Sequence, residues 1–271
     1  MLEYPEIYTI ASQMKTELIG KTIESAAVIK KNNNLFMSDE KIKKYSLLKD
    51  GTVANIFCLN GELYIELDNG YGLLFLQSGG KILFNKSELP KNYNIIFKFT
   101  DGCSLTYTMM LFTLGILAVS HEEWQNRLKN SVKFDPFDEK SFDDYMNFIN
   151  SKDDETMKKP IKTFLATDIS GIMSTFAAEI LLYAKIYPSL QLKKLSKEQH
   201  ENIFESIKSV LKNACEKCGR TSEYNLYGQK GNYIAMAERK HIGESCPVCK
   251  TDLAKISVGG VTAFCPNCQK K

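Results

Sequence analysis

The stretch CPVCKTDLAKISVGGVTAFCPNC, residues 246–268, decides how the chain ends. It holds two Cys-x-x-Cys knuckles, Cys246/Cys249 and Cys265/Cys268, with fifteen residues between them. Each knuckle presents two thiolates, and four thiolates fill the tetrahedral shell of one zinc ion. No coordination position is left for a substrate, so the expected ion is structural, one Zn2+ per chain. Ile256 and Val258 share one face of the intervening segment and Gly259-Gly260 supplies a turn, which predicts a β-hairpin. A redox or disulfide role for these thiols is the disfavoured alternative.

A third pair, Cys215/Cys218, is separated from Cys246 by 27 residues, stands at the end of a predicted helix and has no second knuckle. It reads as ordinary thiols, the alternative being a second zinc completed from elsewhere, with His241 a possible ligand. Cys58 and Cys103 stand in apolar strand-like runs and read as inert core thiols.

Further upstream the pattern is helical. Residues 160–167 and 174–184 predict two helices, and Ser196 with Gln199 forms a capping box that opens a third, with Ile203, Phe204, Ile207, Val210 and Leu211 on one face. Residues 219–245 are loop-rich. Residues 120–155 are polar and acid-rich, reading as a linker with a short helix. Between about 21 and 119 the pattern alternates, as in residues 53–57 and 62–67, with turn signals at Asn60-Gly61, Asp68-Asn69-Gly70, Gly79-Gly80 and Asp101-Gly102. Several short strands at that spacing predict a β-sandwich or barrel. Before them, Ile7, Ile10, Met14 and Leu18 recur at helical spacing between Pro5 and Gly20. The expected fold is thus α+β and multidomain. Residues 1–128 form a β-sandwich with a leading helix, 129–150 a linker, 151–240 a helical domain and 241–271 the zinc hairpin.

The chain has 271 residues, 44% hydrophobic, enough to bury a sizeable core. It contains no apolar run of membrane-spanning length and no signal-peptide pattern, so the expectation is a soluble cytoplasmic protein with no membrane partner. The net charge of +3 is unevenly spread: residues 1–150 hold 16 Lys/Arg against 19 Asp/Glu, and residues 151–271 hold 19 against 13. A basic C-terminal half suits a polyanion such as nucleic acid, and equally suits a solvated lysine-rich surface. Three arginines, Arg127, Arg220 and Arg239, are too few for extensive bidentate reading of guanine.

The order helix, β-sandwich, helical segment, zinc hairpin, taken with particular residues, resembles the formamidopyrimidine-DNA glycosylase/endonuclease VIII (Fpg/Nei) family. Met1-Leu2-Glu3-Tyr4-Pro5-Glu6 is similar to the family's opening. Residues 171–181 followed by Ile186-Tyr187-Pro188 resemble its helix–two-turns–helix. Gly219-Arg220-Thr221 and Tyr227-Gly228 match the loop that follows, and residues 258–269 resemble its zinc finger. The chain is more similar still to a divergent bacterial branch, named endonuclease VIII, whose opening also lacks the proline. The resemblance implies base-excision repair on double-stranded DNA by a nucleoid-associated monomer. There an N-terminal amine attacks C1′ of a flipped, damaged nucleotide, a Schiff base forms and elimination cuts the strand. It implies catalytic candidates at Met1, Leu2 and Glu3, and DNA contacts at Lys81, Ser174 and Arg220.

Several positions depart from the family pattern. Leu2 replaces the proline nucleophile, and methionine is not expected to be removed before so bulky a residue. The free amine then belongs to Met1, one residue or ~3.5 Å out of register. Glu3 keeps the proton-transfer position, though an acid there also suits a helix start; Glu6 is expected to cap or position that start. Glu62 replaces a phosphate-binding lysine, Ser174 an asparagine and Val261 an arginine, and the void-filling loop reads Leu76-Gln77-Ser78-Gly79-Gly80 without its methionine. Three functions stay open: a glycosylase/AP lyase with altered chemistry, a catalytically silent binder of damaged or distorted DNA, and a zinc-stabilised protein-interaction module.

Overall fold

The computed structural model describes residues 1–29, 39–59, 61–76, 80–109, 115–131, 133–136 and 140–271. The chain forms two compact units: residues 1–131 with 217–232, and residues 132–216 with 233–271.

The first unit opens with α1 (Tyr4–Leu18). Glu3 sits in extended conformation at its N-cap, Pro5 stands in the first turn, where its missing N–H costs nothing, and Gly20 leaves the helix at φ 81°. Ile7, Ile10, Met14 and Leu18 are all buried. Two four-stranded antiparallel sheets follow. One runs β1 (Ile23–Val28), β6 (Ile95–Phe99), β7 (Ser104–Met109), β5 (Gly80–Asn85); the other runs β2 (Val53–Leu59), β3 (Glu62–Leu67), β4 (Tyr71–Phe75), β8 (Ile116–Ser120). A short α2 (Asp39–Lys44) and a 3₁₀ turn at Tyr45–Leu48 lie between β1 and β2. The expected sandwich is therefore present.

One core joins Ile56, Leu63, Ile65, Phe75, Ile82, Phe97, Leu105 and Tyr107 to the apolar face of α1. Each such aliphatic or aromatic side chain contributes about 1.5–3 kcal/mol on burial. The opposite face of β3 is covered too: Tyr64 stacks on Trp124 of α3 (His121–Lys129) with ring centroids 4.1 Å apart. Gly72 makes room for that tyrosine, since a Cβ there would lie 2.5 Å from its ring.

The second unit holds α4 (Phe142–Asn150), α5 (Asp154–Met157), α6 (Ile161–Asp168), α7 (Ser174–Ala184) and α8 (Lys197–Glu216). α4 lies inside the stretch expected as a linker, and Ser141 caps it by accepting from the Asp144 N–H at 3.1 Å. The expected capping box of α8 is present: Ser196 N–H donates to Gln199 at 2.9 Å and Gln199 N–H donates to the Ser196 hydroxyl at 3.2 Å. Phe164, Phe176, Ile180, Ile203, Ile207 and Leu211 share the core. β9 (Ala254–Ser257) and β10 (Val261–Phe264) pair antiparallel as the C-terminal hairpin. Gly259 and Gly260 turn it at φ 56° and 108°, the left-handed region that favours glycine.

One segment changes unit. Residues 217–232 lie beyond the helices in sequence yet fold into the first unit. Leu226 is fully buried in the sandwich core; its N–H donates to Gln13 of α1 at 2.9 Å, and its carbonyl accepts from Phe84 of β5 at 3.0 Å.

Candidate functional site

The N-terminal corner of the first unit is a charge cluster. Arg220, placed by sequence among the DNA contacts, is only 3% exposed and faces inward. Its backbone N–H and Nε donate to Glu6 Oε1 at 2.9 and 3.0 Å, and its Nη2 donates to Glu6 Oε2 at 3.0 Å. Nη2 also donates to the Met1 carbonyl at 2.6 Å, and Nη1 lies 3.3 Å from Glu3 Oε1. Burial by itself would lower the pKa of this guanidinium; Glu6 and Glu3 outweigh that and hold it above its ordinary value, so it stays charged. Glu6 in turn accepts from the Glu3 N–H at 2.8 Å, one half of a capping interaction at the start of α1.

The three residues of the expected catalytic set differ sharply within this corner. Met1 is 48% exposed, and its terminal ammonium donates to Glu223 Oε1 at 2.9 Å. Leu2 is buried in the core beside Ile7 and Ile10. Glu3 is 2% exposed against Arg220. Gly219 and Gly231 bring the two ends of the 217–232 segment together, since a Cβ on Gly231 would sit 2.1 Å from the Gly219 carbonyl oxygen.

Lys81, on β5, places its ammonium 4.1 Å from the ring centroid of Tyr224, and Lys230 approaches the same ring at 5.8 Å. Glu62, at the start of β3, is held by Arg127 of α3 in a two-pronged ion pair, Nε to Oε2 at 2.8 Å and Nη2 to Oε1 at 2.5 Å. Glu62 thus has a partner inside the unit. Gln77, Ser78 and Gly79 of the expected void-filling loop lie outside the described residues.

In the second unit, Ser174 begins α7 and its hydroxyl accepts from Lys162 Nζ at 3.0 Å. Lys162 is 1% exposed, and its ammonium also donates to the carbonyl of Val258 at the hairpin turn, at 2.8 Å. One buried cation therefore fixes the start of α7 to the tip of the hairpin. Glu179, fully buried on α7, accepts from the Ala237 N–H at 2.7 Å and the Tyr233 hydroxyl at 3.0 Å. Burial raises its pKa to about 7, against those two hydrogen bonds.

The four predicted thiols do converge. The Sγ atoms of Cys246, Cys249, Cys265 and Cys268 all lie within 4.8 Å of one another. Sulfurs bound to one zinc stand about 3.8 Å apart, given Zn–S distances of about 2.3 Å. Backbone N–H groups already point at two of them, from Val248 to Cys246 at 3.4 Å and from Cys268 to Cys265 at 3.3 Å, the polarity a thiolate requires. Gln269 ties the second knuckle down, accepting from the Cys265 N–H at 2.7 Å and donating to the Ile186 carbonyl at 2.8 Å. The donor set fits a metal ion. Among the described residues, Cys215, Cys218 and His241 join no such group; His241 Nδ1 pairs with Glu244 at 2.8 Å.

Residues 1–110 match the family model of the formamidopyrimidine-DNA glycosylase N-terminal domain. The formamidopyrimidine-DNA glycosylase of Cytobacillus firmus is 29% identical, covering 99% of this chain and 100% of its own. That of Mycoplasma pneumoniae is 28% identical, covering 99% of each. Over its full length the chain is similar to members of the Fpg/Nei family. Its fold is also that of Lactococcus lactis Fpg solved with abasic-site DNA, at a TM-score of 0.86 and 21% identity over 99% of this chain and 100% of that one. A second Lactococcus lactis complex, with N7-benzyl-Fapy-dG DNA, gives 0.85 at 20% identity over the same shares.

Sequence reasoning missed Glu223, Lys162 and Glu179. A lysine or glutamate at a position whose neighbours in the helical pattern are apolar is the signal that flags the last two. For Glu223 no local signal exists.

Proposed function

We propose that the protein acts in base-excision repair, binding double-stranded DNA at damaged or distorted positions and forming a Schiff base at an abasic site through the Met1 α-amine, a DNA glycosylase/AP lyase chemistry. The observation that carries this is the amine itself, which stands on a half-exposed Met1, donates to Glu223 and is tied to the fold through the Met1 carbonyl and Arg220. Pre-positioning of this kind removes much of the entropic cost of bringing nucleophile and sugar together. Glu3 and Glu6 hold Arg220, and Leu2 anchors the segment in the core without chemistry of its own. Lys81 and Ser174 are proposed phosphate contacts. Cys246, Cys249, Cys265 and Cys268 would hold one Zn2+ with a structural task, consistent with four thiolates and no open position. Among the described residues no helix is long and apolar enough to cross a membrane; action as a monomer in the cytoplasm, at the nucleoid, fits the DNA partner.

A second reading, a silent binder of damaged DNA, is favoured by the buried Leu2 and by Glu62, whose charge is committed to Arg127. Borohydride trapping on abasic-site duplex separates the two. A covalent adduct that is lost when the N-terminus is acetylated supports the amine chemistry. Absence of adduct with salt-dependent DNA binding intact supports the silent binder.

A further inference from the structure

The carboxylate that meets the Met1 amine is not Glu3, the nearest one in sequence, but Glu223. Glu3 is 2% exposed, and its Oε1 lies 3.3 Å from Nη1 of Arg220. Glu223 behaves differently: its side chain is 18% exposed, Oε1 accepts from the Met1 ammonium at 2.9 Å, and Arg220 stands farther off at 3.8 Å. It thus touches the reacting nitrogen, reaches solvent and has the weaker hold on the buried cation.

We propose that Glu223 is the acid–base residue of the Met1 amine, the post that the family pattern gives to Glu3. The assignment rests on the amine chemistry proposed above. The Met1 ammonium passes a proton to the Glu223 carboxylate. The freed lone pair forms the N–C1′ bond with the aldehyde of the ring-opened abasic sugar while the carbonyl π pair moves onto oxygen. Glu223 returns its proton to that oxygen, removes a second proton from nitrogen, and gives it to the departing hydroxyl. The balance is one ammonium plus one aldehyde yielding one protonated Schiff base plus one water, with Glu223 ending as the carboxylate it began. The one-residue offset of the amine from the family's proline position and the transfer of the proton post from Glu3 to Glu223 then belong together. Moving the nucleophile back one residue brings it to the 217–232 segment, where Glu223 waits.

The test uses the full chain on duplex DNA containing an abasic site, reading single-turnover borohydride trapping and DNA affinity side by side for wild type, Glu223→Gln and Glu223→Asp. Glu223→Gln is expected to slow adduct formation on the order of 10²-fold with DNA affinity unchanged, the usual contribution of a positioned acid–base group. Glu223→Asp keeps a carboxylate and should recover part of the rate, and added acetate should partly rescue the Gln variant. Thermal unfolding shows whether each variant is folded; should Glu223→Gln prove unfolded, Glu223→Asp with and without acetate carries the same test. Trapping by Glu223→Gln at the wild-type rate overturns the assignment. A parallel loss of trapping and of DNA affinity, without acetate rescue, also overturns it and assigns Glu223 a structural part. Failure of the wild-type protein itself to trap removes the amine chemistry and Glu223's role with it, a result distinct from either.

Discussion

The four-cysteine cluster at the C-terminus and the arginine–carboxylate cluster at the N-terminus are both small polar groupings that fix a chain end, yet they are encoded in opposite ways. The cysteines fall within residues 246–268, so two tight knuckles and one hairpin bring them together. The N-terminal cluster joins Met1 to Glu223 and Glu6 to Arg220 across separations of 222 and 214 residues. A thiol cluster made by local turns announces itself through spacing. A charge cluster made by chain return is invisible until the return path is known.

The largest effect should come from the local cluster. Replacing Cys265 with Ala, or stripping metal with a chelator, is expected to take bound zinc from one per chain to none and to open the hairpin, measured by metal analysis and by hydrogen exchange over residues 246–268. Structural zinc contributes on the order of 10 kcal/mol in isolated fingers. The contacts of Gln269 and Ala263 should retain part of that order here. Amide protection in residues 1–20 should not change, because the N-terminal cluster depends on no metal.

Arg220→Ala should rank second. It leaves Glu3 and Glu6 buried without a countercharge, which costs about 3–5 kcal/mol. Denaturant unfolding measures this, and Arg220→Lys should recover only a part, since an ammonium cannot match the fork that Glu6 receives.

Glu179 offers a pH test within the second unit. Its folded pKa of about 7 lies above an unfolded value near that of an ordinary glutamate, so the folded state binds the extra proton. Stability from this residue is therefore full below about pH 4.5, declines as pH rises and is lost above about pH 7. The total is on the order of 3 kcal/mol. Glu179→Gln should flatten that slope in unfolding measured from pH 4.5 to 7.5.

The smallest effect should belong to Glu62. Its partner Arg127 is about half exposed, so Glu62→Ala should change stability by less than about 1 kcal/mol despite good two-pronged geometry. A larger loss would mean that an exposed ion pair can rank with the buried cluster, and would break the distinction between them.

Much of the architecture was legible from pattern. The apolar spacing of Ile7, Ile10, Met14 and Leu18, the alternation in residues 53–67 and the Ser196/Gln199 box each describe a face or a cap that forms within a few residues. The site was legible only in part. The four cysteines could be named from their spacing, whereas Arg220 is expected at DNA from the likeness of its loop to the family's, and its burial among three carboxylates depends on where residues 217–232 fold. Lys162 looked like one lysine among many, and its burial between Ser174 and Val258 follows from packing of α6 against elements more than ten residues away in sequence.

The sequence by itself determined most of the elements, their order and the thiolate set, because these depend on periodicity, caps and short-range spacing. Tertiary structure alone decided which unit takes residues 217–232, which carboxylate meets the terminal amine and which charges are buried. Those outcomes follow from desolvation: Leu226 inserts into the sandwich core, carries Arg220 into a site with little water, and the carboxylates gathered there become its necessary partners.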